Sequence, residues 1–227
     1  ARQPLRRREI ARLRQAAQGV ASGEGAKRVD VVGAPGMGKS VLLDQIASEL
    51  EDAGWTVLAG GARENLHAAL GPIRLAIARW IGVPPGDDAP LTAALAAQVA
   101  PQLGPQMHAQ LGRLVTFRAE RRLTHQGGEV GLARDFGLIG ALVGALCETG
   151  PVCVIVDDLD RADAETHRLL AILRAQLAQR RLFVITSAPA TSQADAITLG
   201  PLTSKAAWSF LEALTGTREG KLSQASD

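Results

Sequence analysis

The chain is 227 residues long, 46% apolar and 21% charged, with aromatics at only 3%. That composition excludes a disordered chain and fits one globular domain, or one plus a fragment of a second, with a core that needs no disulfides or metals. The net charge is +2, and arginines cluster only at Arg6, Arg7 and Arg8 and at Arg118, Arg121 and Arg122, which is too little for a broad nucleic-acid footprint.

In chain order, residues 5–18 place Leu5, Ile10 and Leu13 among arginines and predict a short amphipathic helix. A Gly-rich turn, Ser22 to Lys27, leads to the β-branched run Val29 to Val32, a strand. Gly33 to Gly38 is a loop. Lys39 to Asp52 has helical spacing through Leu42, Leu43, Ile46 and Leu50, and Gly54 ends it near C′. Trp55 to Ala59 is a second strand. Strand, loop, helix, strand is a βαβ unit and implies a parallel sheet.

The middle of the chain reads as helices over 66–81, 90–100, 105–123 and 132–147, with loops at Pro84 to Asp88 and at His125 to Gly128. The longest apolar run, Phe136 to Cys147, is shorter than a bilayer span requires. Val152 to Val156 is a continuous apolar strand, suited to burial on both faces. A helix over 164–179, a strand over 182–186, a short strand over 197–199 and a helix over 204–214 follow, and the tail from Thr217 is polar. Two cysteines, Cys147 and Cys153, sit in apolar stretches. They read as buried thiols in a reducing compartment, which implies a cytoplasmic protein. The arginine-rich N-terminus has no apolar segment of the signal-peptide kind.

Gly33-Ala34-Pro35-Gly36-Met37-Gly38-Lys39-Ser40 fits G-x-x-x-x-G-K-[ST]. The glycines let backbone amides curl around phosphate oxygens, and the following helix turns its N-terminal dipole toward the anion. Lys39 would reach the β- and γ-phosphates, and Ser40 would ligate Mg²⁺, with Val41 next in line. Lysine is scarce, with four against 21 arginines. A chance match somewhere in the chain is therefore about 0.4%.

Val152 to Val156 runs into Asp157-Asp158-Leu159-Asp160. A strand end delivers a carboxylate beside the metal held by Ser40, so Asp157 is the metal-side acid. Asp158 is placed to orient or deprotonate an attacking water. Thr186, at the end of the next strand, is a candidate for hydrogen-bonding that water. Asp163 is the expected N-cap of the following helix.

With these motifs, the chain resembles the nucleotide domain of AAA+-related signal-transduction ATPases with numerous domains, the STAND ATPases of large regulators. The residues that carry the resemblance are Gly33 to Ser40 and the run Val154-Ile155-Val156-Asp157-Asp158-Leu159-Asp160-Arg161-Ala162-Asp163. Flanking segments add to it. Leu5 to Leu13 is similar to the family's opening Gly-Arg-Glu segment, Leu70-Gly71-Pro72-Ile73 to the stretch after the second strand, and Leu199-Gly200-Pro201-Leu202 to the start of a helical lid. The resemblance implies an α/β P-loop NTPase sandwich, a five-stranded parallel sheet of order 5-1-4-3-2 with helices on both faces. It implies ATP or ADP with Mg²⁺, and a switch in which nucleotide exchange and slow hydrolysis control self-association or a linked effector or sensor domain. Leu5 and Ile10 would line the adenine side. The domains would be an N-terminal helical segment over 1–28, a P-loop core over 29–200 with a helical insertion at about 66–147, and a lid start with a polar tail over 201–227.

Three departures stand out. Arg6 or Arg7 replaces the opening glycine. No arginine follows the strand ending Thr186-Ser187-Ala188-Pro189. The chain also stops where a lid would follow, which leads us to expect an excised nucleotide domain or a truncated relative. His67, His108, His125 and His167 show no metal spacing. Gly137, Gly140 and Gly144 fit close helix packing. Arg118, Arg121 and Arg122 read as a solvated helix face, with an arginine finger as the sharper alternative, and Arg161 as a surface ion pair, with contact to phosphate or a partner as its alternative.

The functional expectation is an ATP-binding, slowly hydrolysing switch domain of a signalling or transcriptional regulator, without direct contact to membrane or nucleic acid. The alternatives are a nucleotide-binding module without significant hydrolysis and a small-molecule P-loop kinase. A replication-initiator or clamp-loader type of AAA+ protein also stays open.

Overall fold

The computed structural model describes residues 6–62, 69–83, 93–97, 100–115, 128–190 and 195–201. The elements in chain order are α1 (Arg7–Ala21), β1 (Lys27–Val32), α2 (Lys39–Asp52), β2 (Thr56–Gly61), α3 (Gly71–Ile81), α4 (Pro105–Val115), α5 (Gly128–Thr149), β3 (Val152–Asp157), a 3-10 turn (Leu159–Arg161), α6 (Ala164–Gln176), β4 (Leu182–Ala188) and β5 (Ala196–Thr198). Residues 93–97 are helical. The expected loops at 84–88 and 125–127, the later part of the 105–123 helix, the 204–214 helix and the tail lie outside the described residues. So do Leu5, His67, His125 and the arginines 118, 121 and 122.

All strand pairs are parallel, and the sheet order is β2-β3-β4-β1-β5. This is the expected 5-1-4-3-2 order read from the other edge. Side-chain alternation splits the core into two halves. Cys153, Ile155, Phe183 and Ile185 face one way and pack with Ile10, Leu13, Leu42 and Ile46 of α1 and α2. Val152, Val154, Val156, Leu182 and Val184 face the other way, toward Ile77 of α3, Leu142 of α5 and Leu169 of α6. On the α1/α2 side, Trp55 meets Phe183 edge-on, with centroids 6.3 Å apart and planes at 64°.

Helix α3 starts later than the expected residue 66, at the Gly71-Pro72 pair that opens its first turn. Close packing sets its place. A Cβ at Gly60 of β2 would lie 2.0 Å from the carbonyl oxygen of Pro72, so only glycine lets the helix start sit against the strand.

Helix α5 corrects an expectation. The stretch Val130–Thr149 has 20 residues with mean hydropathy 1.6, long and apolar enough by length and composition to cross a membrane. Counting only the uninterrupted run from Phe136 missed the apolar turns before it. In the fold, Leu138, Ile139, Leu142, Val143 and Leu146 of α5 are buried in the core beside β3 and α6.

Candidate nucleotide site

The site lies at the C-terminal ends of β1, β4 and β3. Strand order sets this arrangement: β4 stands between the strand that feeds the phosphate loop and the strand that carries the acids.

The loop leaves β1 after Val32, and the Gly33 amide donates to the Ala188 carbonyl of β4 at 3.3 Å. Gly36 and Gly38 both have φ of +82°, and nothing lies within 4 Å of where their Cβ atoms would be. Glycine is needed there for the left-handed backbone, and the space beside it is open to an anion. Gly38 is also the N-cap of α2 and offers no side-chain acceptor to its first amides. Those amides and the helix dipole favour an anion.

Lys39 is buried, and its Nζ donates to the Gly33 carbonyl at 2.7 Å and the Ala34 carbonyl at 3.3 Å. The ammonium thus rests on its own loop, within reach of the hollow it encloses. Ser40 Oγ donates to Asp157 Oδ2 at 2.6 Å, across 117 residues of sequence. Two hard oxygen donors converge here, which suits Mg²⁺ chemistry. Val41 is 53% exposed, unusual for a large apolar residue in this fold, and borders the loop.

Asp157 is held on its other oxygen too. Ser187 Oγ donates to Asp157 Oδ1 and accepts the Asp158 amide at 2.9 Å, while the same amide approaches Asp157 Oδ1 at 3.1 Å. Asp158 has left-handed backbone, φ 53° and ψ 48°, and is buried at 4% exposure. The chain of contacts runs Ser40, Asp157, Ser187, Asp158.

Thr186 does not join it. Thr186 is buried, and its Oγ1 donates to Asp30 Oδ1 at 2.9 Å, on the α3/α6 face of the sheet. Arg28 completes that cluster with an ion pair to Asp30 at 2.7 Å. The polar residue at the site is Ser187, one step on. The signal was present: Phe183 and Ile185 are core residues on the α2 face, and alternation then puts residue 187 there as well.

Ile10 is a second correction. It is fully buried, packed with Leu13 and Ile46, and presents no surface to a base. Arg6, half-buried, reaches the phosphate loop instead. Its Nη2 donates to the Met37 carbonyl of the phosphate loop and to the Gly200 carbonyl, each at 2.8 Å. Leu5 lies outside the described residues.

Asp163 caps α6 as expected, accepting the Thr166 amide at 2.8 Å and the Thr166 hydroxyl at 2.7 Å. His108 is buried against the Ala100 carbonyl at 2.9 Å, and His167 is exposed. Among the described residues no group of three or more His, Cys, Asp or Glu could hold a metal ion. A cation here would depend on the Ser40 and Asp157 oxygens together with a ligand of its own.

A family model described as "AAA ATPase domain" matches residues 2–185. The chain belongs to that family. Its fold agrees. The Cdc6p structure from Pyrobaculum aerophilum superposes with a TM-score of 0.54 at 15% identity, covering 92% of this chain and 48% of that one. The Aeropyrum pernix Orc1 protein, in complex with DNA, gives 0.54 at 16%, covering 93% and 49%. Drosophila ORC bound to DNA gives 0.50 at 14%, covering 95% and 47%. The chain spans about half the length of these proteins. No curated protein matches it. Membership makes this a P-loop AAA+ ATPase domain, and its phosphate loop a nucleotide-binding loop.

Proposed function

We propose that this domain binds ATP or ADP with Mg²⁺ and acts as a slowly hydrolysing switch in a multidomain signalling or transcriptional regulator of the STAND kind. The observation that carries the chemistry is the Ser40–Asp157 contact, which joins the phosphate loop to the acid-bearing strand. Ser40 and Asp157 would hold the metal, Lys39 the outer phosphates, and the amides at the start of α2 the phosphate oxygens. Bound Mg²⁺ would neutralise phosphate charge as it builds on the leaving group.

Slow turnover fits two features. Lys39 is engaged by its own loop, and Asp158 is buried. Both groups would have to turn toward a nucleotide before working on it. The same two features favour the second reading, binding without significant hydrolysis. The small charge excess supports a domain without its own nucleic-acid contact, and the two buried free thiols suit a cytoplasmic setting.

The test measures ATP and ADP affinity, then turnover, for wild type, Lys39→Ala and Asp158→Ala. Lys39→Ala should weaken ATP about 10- to 100-fold, as loss of a charge-assisted contact does. Asp158→Ala should keep affinity and abolish turnover. Unchanged binding in Lys39→Ala would overturn the phosphate-loop assignment. Tight binding with no turnover in wild type would select the second reading.

A further inference from the structure

Two residues other than glycine have positive φ among the described residues: Asp158 at 53° and Leu70 at 62°. Such backbone persists only where its surroundings hold it. Asp163, which follows the turn that Asp158 begins, reaches Leu70 with its side chain. Asp163 Oδ1 accepts the Thr166 amide, which caps α6, and also the Leu70 amide at 3.0 Å, 93 residues away in sequence.

Leu70 is fully buried and is the N-cap residue of α3, the first helix of the insertion. Asp163 ends the turn that Asp158 begins. Within that turn the Arg161 amide donates to the Asp158 carbonyl at 2.9 Å, and the Ala162 amide to the Leu159 carbonyl at 3.0 Å. A second tie lies close by, where the Ala62 amide after β2 donates to the Asp157 carbonyl at 3.0 Å. The N-cap of α3 is thus fastened to Asp163, beside the last rung of the β2–β3 ladder.

We infer that Asp163 is a positioning residue that ties the Asp158 turn to helix α3, so that a shift of the insertion reaches the acids. Capping of α6 alone needs one acceptor reaching one amide. The second bond, to Leu70, adds nothing to that cap and joins two separate parts of the chain. The consequence for turnover rests on the ATP reading above; the tie itself does not.

Three variants separate the roles. Asp163→Asn keeps an acceptor oxygen at the Oδ1 position. Asp163→Ser keeps the α6 cap but is too short to reach Leu70 as well. Asp163→Ala removes both contacts. Amide exchange is followed by NMR at Leu70, Arg161 and Ala162, together with kcat and KM for Mg-ATP. In Asp163→Ser the Leu70, Arg161 and Ala162 amides should exchange about ten-fold faster, the loss of one charge-assisted hydrogen bond. The kcat should fall by a similar factor with KM unchanged. Asp163→Asn should restore both readouts. Wild-type exchange at Arg161 and Ala162 in Asp163→Ser would overturn the proposal, and the wild-type fold of that variant shows in its thermal melt. If the wild-type chain binds no ATP, the nucleotide reading fails, and the exchange at these three amides still decides the tie.

Discussion

The two faces of the sheet end differently. On the α1/α2 face, the strands run from an apolar core into Ser187 and Asp157, and these meet Ser40 and the phosphate loop. On the α3/α6 face, Thr186 of β4 donates to Asp30 of β1, which also pairs with Arg28 of the same strand. Polar residues of these strands are thus of two kinds. Those facing the loop are arranged for a ligand, and those facing away are arranged for one another. Alternation decides which is which, because one step along β4 moves a hydroxyl from one set to the other.

The largest expected effect tests whether α1 is packing or binding surface. Ile10→Ala should cost about 2–5 kcal/mol of stability, because a fully buried β-branched side chain leaves a cavity. Thermal or urea unfolding measures this. ATP affinity at a temperature where the variant is folded should stay at the wild-type value. A large loss of affinity with little loss of stability would return Ile10 to the base side.

The phosphate loop and the parallel pairing were legible because each rests on a local pattern, whereas the strand order came from the family resemblance. A βα turn with glycines at fixed places is local, and so is an apolar run that ends in an acid. Thr186 was assigned from its place near a strand end and Ile10 from the family resemblance, whereas the direction of a side chain depends on strand parity and helix face. Ser187 follows from parity with Phe183 and Ile185. Arg6 and the Leu70–Asp163 contact were not legible, because each joins segments far apart in the chain. No periodicity reports such a meeting.

The next effect sharpens the comparison of the two faces directly. Thr186→Val removes the donor to buried Asp30 and should destabilise the protein by about 1–3 kcal/mol, with nucleotide turnover unchanged. Ser187→Ala removes one of the two hydroxyls held by Asp157 and one acceptor of the Asp158 amide at the site. It should cost little stability and lower turnover about ten-fold, with ATP affinity nearly unchanged. Melting curves and steady-state kinetics on the pair are sufficient. If Thr186→Val slows turnover as much as Ser187→Ala, the two faces are not separate.

The smallest effect concerns one thiol on each face. Cys147 of α5 lies on the α3/α6 side, and Cys153 of β3 on the α1/α2 side. Burial pushes the Cys147 thiol up to about 11, with Arg180 and Arg181 pulling it partly back, and pushes the wholly buried Cys153 higher still. A raised folded value means the native state prefers the neutral thiol. Its contribution to stability is therefore full below the unfolded thiol value near 9 and fades as the pH rises toward 11. Comparing melts from pH 8 upward between wild type and Cys147→Ala should show a slightly shallower decline in the variant. Alkylation of the native protein should label Cys147 before Cys153, because only Cys147 has cations nearby to favour its thiolate. Faster labelling of Cys153 would mean that the α1/α2 face opens more readily than the face carrying the insertion. The core beneath the phosphate loop would then be the more mobile of the two.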